Sequence, residues 1–419
     1  MLDRKTAPAI NPIESIRFEK PMVFDITKEN KLFCITSVPD ETANFELYFN
    51  AGSIHGNTEV ASVVNGLLLS GTPEKSPIQI NDELDGLGAY LSQNISLENA
   101  VITVHALREN ILPIARIIRD AVQHCEFNEK EFNQNIQTRR QKLSINLEKV
   151  NILAQRAFKQ RFFNGSEKYS SVTTDEDLQN IKREELIDFH QKRYLKGLTK
   201  MVLVGNFTQN EIDAFIDIFG SWVNDEKPTF ENQFDSIKGY AHIEKEGALQ
   251  TAIRVGRPLF NKKHEDYPDF IILNTLVGDY FGSRLMKNIR EDKGYTYGIG
   301  SMIAELEETG YFIIGTEVGK EVKDLALAEI KYELDKLKTK LVEQEELDLV
   351  KNYLLGQLLK SADGPYSMMD LYLSVEMFGM DLEFYNKMIH HINTITPERI
   401  KELANKYFNW EEFTIVTAG

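Results

Sequence analysis

The feature that most narrows the folds open to this chain is an internal duplication. Gly88-Ala89-Tyr90-Leu91-Ser92 precedes an apolar strand over 100–107 and a helix over 112–124. Gly294-Tyr295-Thr296-Tyr297-Gly298 precedes a strand over 311–316 and a helix over 322–337. Gly88 and Gly294 stand 206 residues apart. Further on, Ile181-Lys182-Arg183-Glu184-Glu185-Leu186 parallels Ile395-Thr396-Pro397-Glu398-Arg399-Ile400 at an offset of 214. Each leads through a helix to an apolar strand, 201–204 and 413–417. A few inserted residues reconcile the two offsets. One repetition at half the chain length predicts two copies of one domain, not a solenoid. Strands mixed with long helices predict an α+β class, each copy a mainly antiparallel sheet with helices packed on it. The polar break Asp225-Glu226-Lys227-Pro228 places the join within 224–236 and divides the chain into 1–228 and 229–419.

The composition supports two cores and restricts the partners. Of 419 residues, 42% are hydrophobic and 27% charged, ordinary values for a globular protein. The formal net charge of −16 disfavours nucleic acid and anionic membranes. Two cysteines, Cys34 and Cys125, make no disulfide framework and suit a reducing compartment. The start, Met1-Leu2-Asp3-Arg4-Lys5, has no apolar signal core, and no apolar run reaches membrane-spanning length. The expectation is a cytoplasmic protein without membrane contact.

The window Ser62-Val63-Val64-Asn65-Gly66 is informative through what it lacks. It lies in a predicted amphipathic helix that starts after Asn57-Thr58 and stops by Gly71. Val60, Val63, Val64, Leu67 and Leu68 form its apolar stripe, so Ser62, Asn65 and Gly66 are expected to share the opposite face. The flanking text, Ala51-Gly52-Ser53 before and Leu69-Ser70-Gly71-Thr72 after, resembles the pitrilysin/insulinase family of zinc peptidases. In that family the face carries an inverted motif, His-x-x-Glu-His, with two zinc ligands and a general base. The resemblance aligns those positions with Ser62, Asn65 and Gly66. It puts the third ligand, a Glu seventy-six residues beyond the second His, at Lys142. A zinc site needs three His, Cys or carboxylate ligands and an open water position. A hydroxyl, an amide, a glycine and an ammonium do not supply them, so no metal is expected in this chain.

The second half matches the family where the first departs from it. Phe281-Gly282-Ser283-Arg284-Leu285 opens a predicted helix that runs to Arg290; the chain turns at Lys293-Gly294 and enters the strand at Tyr295-Thr296-Tyr297. An Arg at a helix end often only complements the dipole, and a Tyr on a strand often only packs. In the family, an Arg here and a Tyr seven residues later complete the active site from the opposite domain, and Arg290 and Tyr297 match that spacing. Arg284 also matches the family text and is read as structural. His390-His391, the pair His55 and Glu59, and His124-Cys125-Glu126 lack the spacing of a ligand set.

The resemblance covers nearly the whole chain and implies the short, two-domain branch of the family. It implies a non-zinc subunit of a heteromeric metallopeptidase, with zinc held by a homologous partner that carries His-x-x-Glu-His. This chain would supply Arg290, Tyr297 and part of a chamber wall for peptide or unfolded polypeptide substrates. Alone it would be inactive, and a homodimer of the isolated chain is compatible with that role. The alternative is a catalytically inactive peptide-binding or assembly protein of the same fold.

Overall fold

The computed structural model describes residues 12–28, 30–223, 229–231 and 233–419. The expected boundary motif, Asp225 to Pro228, lies outside the described residues. Two sheets organise the chain. The first contains β1 (Met22–Asp25), β2 (Lys31–Ile35), β3 (Thr42–Phe49), β4 (Tyr90–Ile95), β5 (Ala100–Leu107) and β6 (Leu198–Val204), in the order β1-β2-β6-β3-β5-β4. The second contains β7 (Gly239–Ile243), β8 (Gln250–Leu259), β9 (Thr296–Glu305), β10 (Gly310–Gly319) and β11 (Thr414–Ala418), in the order β7-β11-β8-β10-β9. Each sheet has one parallel pair, β2–β6 and β7–β11; the other neighbours are antiparallel.

The helices repeat as the strands do. The first half carries α1 (Thr58–Leu67), α2 (Pro77–Gly86), α3 (Arg108–Gln123), α4 (Glu129–Leu147), α5 (Val150–Phe162), the short α6 (Glu167–Ser170) and α7 (Asp175–Asn180), α8 (Arg183–Arg193) and α9 (Gln209–Phe219). The second carries α10 (Tyr267–Val277), α11 (Lys323–Thr339), α12 (Gln344–Ser361), α13 (Pro365–Glu376), α14 (Glu383–Thr394) and α15 (Pro397–Tyr407). Side-chain periodicity explains the layers. On β10, Phe312, Ile314, Thr316 and Val318 are buried while Tyr311, Ile313, Gly315 and Glu317 are half-buried on the other face, the period of two of a strand. On α3, Ile111, Ile114, Ala115, Ile118 and Val122 form one buried helical stripe. No helix among the described residues is long and apolar enough to cross a membrane.

The two halves exchange helices. α5, from the first half, packs on the second sheet: Ala154 lies with Ala252 and Ala418, and Phe158 and Phe162 with Val416. Gly256 on β8 admits this approach, since a Cβ there would stand 2.6 Å from the Phe158 ring. α13, from the second half, packs on the first sheet, placing Met369 and Leu373 against Phe33, Ile35, Val202 and Val204. Burying one such side chain is worth roughly 1.5–3 kcal/mol, so the exchange ties the halves together. The tips of two equivalent hairpins also meet. Glu98, between β4 and β5, accepts hydrogen bonds from the Tyr169 hydroxyl (2.9 Å) and from the backbone N–H of Glu307 (3.0 Å), between β9 and β10.

Candidate functional site

α1 forms as expected. The Asn57 side chain caps it by accepting from the Glu59 N–H at 2.9 Å. Val60, Val63, Val64 and Leu67 are buried in the first core. Its other residues are not a uniform outer face. Asn65 is buried and donates to the Tyr194 hydroxyl at 3.2 Å, a polar side chain satisfied inside the core. Gly66 is exposed and Ser62 half-buried.

The cation against Ser62 is Arg139 of α4. Its Nη1 donates to Ser62 Oγ at 2.7 Å and its Nη2 to the Ser62 carbonyl at 2.6 Å. Its Nε donates to Asn135 Oδ1 at 2.6 Å, one turn back on the same helix. A Cβ at Gly66 would stand 2.8 Å from Nη2, so the bare glycine makes room for the guanidinium. Lys142 is exposed one turn further along α4. Lys142 and Arg139 share one helix, and Arg139 is the residue that reaches α1.

Glu59 lies beneath this contact. Burial pushes its carboxyl up from the ordinary range, and the charges of Arg139 and Lys159 oppose that shift. Arg156 is also close enough to feel Glu59. Arg156 Nη2 donates to the Thr173 carbonyl at 2.6 Å, and Lys159 Nζ to the Ser171 carbonyl at 2.6 Å. Arg139, Arg156 and Lys159 are thus all close enough for their charges to act on this buried acidic group. A dication with open coordination does not fit there: the face offers a hydroxyl, an inward-turned amide and a glycine, and a guanidinium already spans them. Removing Arg139 is expected to weaken the α1–α4 contact. Hydrogen bonds to a charged group contribute about 1.5–3 kcal/mol, so Arg139→Met should lower stability by about 2 kcal/mol. Urea unfolding checks this; an unchanged midpoint would mean that Arg139 does not tie the two helices.

The second half presents a different surface. Residues Met286–Asp292 form a π-helix rather than the ordinary helix expected from sequence, and the Lys293 N–H bonds to the Asn288 carbonyl at 3.0 Å. Gly294 turns the chain with φ of +65°, and the Tyr295 N–H returns to the Ile289 carbonyl at 3.0 Å. Arg284 is held bidentately by Glu346, at 2.7 and 2.6 Å, which suits the structural reading of it. Arg290 is half-buried, its guanidinium stacked on the Phe281 ring at 4.6 Å. Tyr295 packs against the second core, whereas Tyr297 is 94% exposed. Phe281 and Tyr297 both line a cleft of about 1240 Å³ whose far wall is α5, including Phe158 and Lys159. Arg290 is not itself a lining residue of the cleft; it reaches the cleft only through Phe281, on which it stacks.

The other histidines are engaged locally. His55 bonds to the Glu98 carbonyl at 2.8 Å, His124 to Asp120 at 2.9 Å and His391 to Asp269 at 2.7 Å. His391 is half-buried, with Asp269 of α10 facing it.

Residues 32–175 match the family described as insulinase (peptidase family M16), and residues 180–354 match the one described as peptidase M16 inactive domain. Over 372 residues the chain is 23% identical to an uncharacterized zinc protease, YmxG, of Bacillus subtilis (strain 168), covering 86% of this chain and 89% of that one. It is 22% identical to the non-peptidase homolog YmxG of Helicobacter pylori (strain ATCC 700392 / 26695), covering 85% and 83%. Among solved structures, the peptidase M16 inactive domain from Pseudomonas fluorescens superposes with a TM-score of 0.84 at 22% identity, covering 95% of this chain and 98% of that one. That last likeness concerns the fold.

Proposed function

The chain belongs to the insulinase family of peptidases, peptidase family M16, and from that premise we propose that it is the zinc-free subunit of a heteromeric zinc metallopeptidase. One observation carries the reading. A single chain has Arg139 across the face where ligands would stand, yet holds Tyr297 almost fully exposed at the mouth of a cleft. A tyrosine hydroxyl kept free in this way is available to a group on another chain. The partner would be a homologue with the intact motif, and its zinc would supply the activated water. The residues here have their own tasks. Negative charge builds on the scissile carbonyl oxygen during attack, and the Tyr297 O–H is a preorganised donor for it. The Arg290 guanidinium offers a planar fork of donors, and its stacking on Phe281 orients that plane. The division into 1–228 and 229–419 follows the same logic, with the degenerate face in one part and the Arg290–Tyr297 pair in the other.

The second reading, a catalytically inactive peptide-binding or assembly protein, is favoured by the likeness to a relative named a non-peptidase homolog. Mixing separates the two. Alone, the chain is expected to hold no stoichiometric zinc and to hydrolyse no peptide. Combined with an intact-motif homologue from the same organism, it should raise that partner's peptidase activity and co-elute with it. Stoichiometric zinc in the isolated chain would contradict both readings. Absence of any gain on mixing would leave the assembly reading.

A further inference from the structure

The cleft beside Tyr297 has a floor built for a ligand. Arg254 of β8, Gly315 of β10 and Gly300 of β9 pair in one row across the second sheet. Their common face points at α5. The row carries one long side chain and two bare positions, so the floor is a trough with Arg254 at its inner end. A Cβ on Gly315 would stand 3.5 Å from Arg254 Nη1, so the guanidinium lies over that glycine. The walls are apolar, with Phe158 on α5, Tyr311 and Ile313 on β10, and Met286 on the π-helix.

The charges do not balance locally. The one hydrogen bond of Arg254 among the described residues is from Nη1 to the Ile253 carbonyl at 2.9 Å, which leaves Nε and Nη2 without a partner. Lys159, on the opposite wall, bonds to the Ser171 carbonyl, its one hydrogen bond among the described residues. Neither makes an ion pair with a carboxylate among the described residues. Burial is the leading influence on both, drawing each below its ordinary pKa. The acidic groups at the cleft are Glu317, which acts on Arg254 from the neighbouring strand, and Asp279, exposed at the rim. Lys159 also serves Glu59, which it shares with Arg139 and Arg156. An unfilled guanidinium fork at the end of a narrow apolar trough is suited to a carboxylate.

We propose that this cleft binds an extended peptide through a carboxylate seated on Arg254 and assisted by Lys159, with the rest of the peptide lying along the glycine trough toward Tyr297. The substrates admitted are then peptides with an anionic group, despite the chain's own net charge of −16. The carboxylate is either a peptide C-terminus or an Asp or Glu side chain. The assignment deepens the peptide-chamber reading but does not need the zinc partner.

Calorimetric titration of this chain alone tests it, using four hexapeptides of one apolar sequence. They are a free C-terminus, an amidated C-terminus, an amidated form with one internal Glu, and an amidated form with one internal Lys. At least one carboxylate peptide should bind about tenfold more tightly than the neutral amide, the scale of one charge-assisted contact. The Lys form should be weakest. Preference for the free terminus or for the internal Glu identifies the source of the carboxylate. Arg254→Gln should erase the preference while thermal unfolding shows an intact fold. Glu317→Gln should strengthen carboxylate binding by removing the competing charge, which keeps the test decisive if Arg254→Gln does not fold. Equal affinity for all four peptides, no binding, or unchanged affinity in a folded Arg254→Gln chain would overturn the proposal. A carboxylate preference without any activity on mixing would uphold it while removing the heteromeric peptidase.

Discussion

In the reconstituted two-chain peptidase, Tyr297→Phe is expected to lower kcat by about 10²–10³, the usual cost of losing one oxyanion donor. The substitution removes one hydroxyl from a side chain that is already 94% exposed, so the fold of this chain has little to lose. No residue that would hold the partner's metal is touched, so zinc content should not change. Arg290→Lys keeps the charge but not the planar fork or its stacking on Phe281, and it should also impair turnover. Tyr295→Phe is the control. Tyr295 neighbours the pair but packs against the second core, so loss of its hydroxyl should leave kcat near that of the parent. Full activity in both Tyr297→Phe and Arg290→Lys would remove the catalytic role. Equal losses at 295 and 297 would point to packing rather than to a donated hydrogen bond.

The contrast between Tyr295 and Tyr297 also marks what the sequence makes legible. Tyr295 closes the turn at Gly294 just before the strand, and Tyr297 lies within it, so alternation alone does not tell the two apart; the seven-residue spacing from Arg290 is what is readable without coordinates. The duplication is readable because each copy needs its own apolar strands and stripes. The helix exchange is not. α5 and α13 have the composition of ordinary packing helices, and periodicity shows which face of a helix is buried but not which sheet buries it. The π-helix is hidden for a related reason, since one widened turn leaves no mark in a short segment. On α4, counting leads to Lys142, whereas the side chain that contacts Ser62 is Arg139, one turn earlier, and a fixed spacing does not show which side chain reaches across. The local sign that points to Arg139 is Asn135 four residues earlier, placed to hold a guanidinium on that face. Asn65 is buried where the stripe predicts exposure because Tyr194, far away in sequence, offers it a hydroxyl.

The pH dependence of stability is expected to carry the signature of Glu98, where the two halves meet. Glu98 is 5% exposed, and its carboxyl is pushed up to about 7, first by burial and then by the nearby charges of Glu307 and Glu308; its hydrogen bonds from Glu307 N–H and Tyr169 pull the other way. The folded chain therefore holds a proton at Glu98 that the unfolded chain releases near the ordinary value of 4.5. With the folded pKa above the unfolded one, the native state binds more protons between these values. The stabilisation is complete below about pH 4.5 and is lost as pH rises through about 7. At 1.36 kcal/mol per unit, the full swing is about 3 kcal/mol. His55 and His190 run the other way. Burial draws both down to about 4, so their contribution is present above the ordinary 6.5 and is lost as pH falls. The parent curve sums these opposed slopes, and a difference measurement separates them. Glu98→Gln fixes the neutral form and keeps both contacts, with the amide oxygen accepting from Glu307 N–H and the amide nitrogen donating to the Tyr169 hydroxyl. Its stability advantage over the parent should be below about 1 kcal/mol at pH 5 and should grow to about 3 kcal/mol by pH 8.5. Urea midpoints of the two proteins across that range measure it directly. A constant difference from pH 5 to 8.5 would show that Glu98 does not titrate there and that its two hydrogen bonds hold it charged across the joint between the halves.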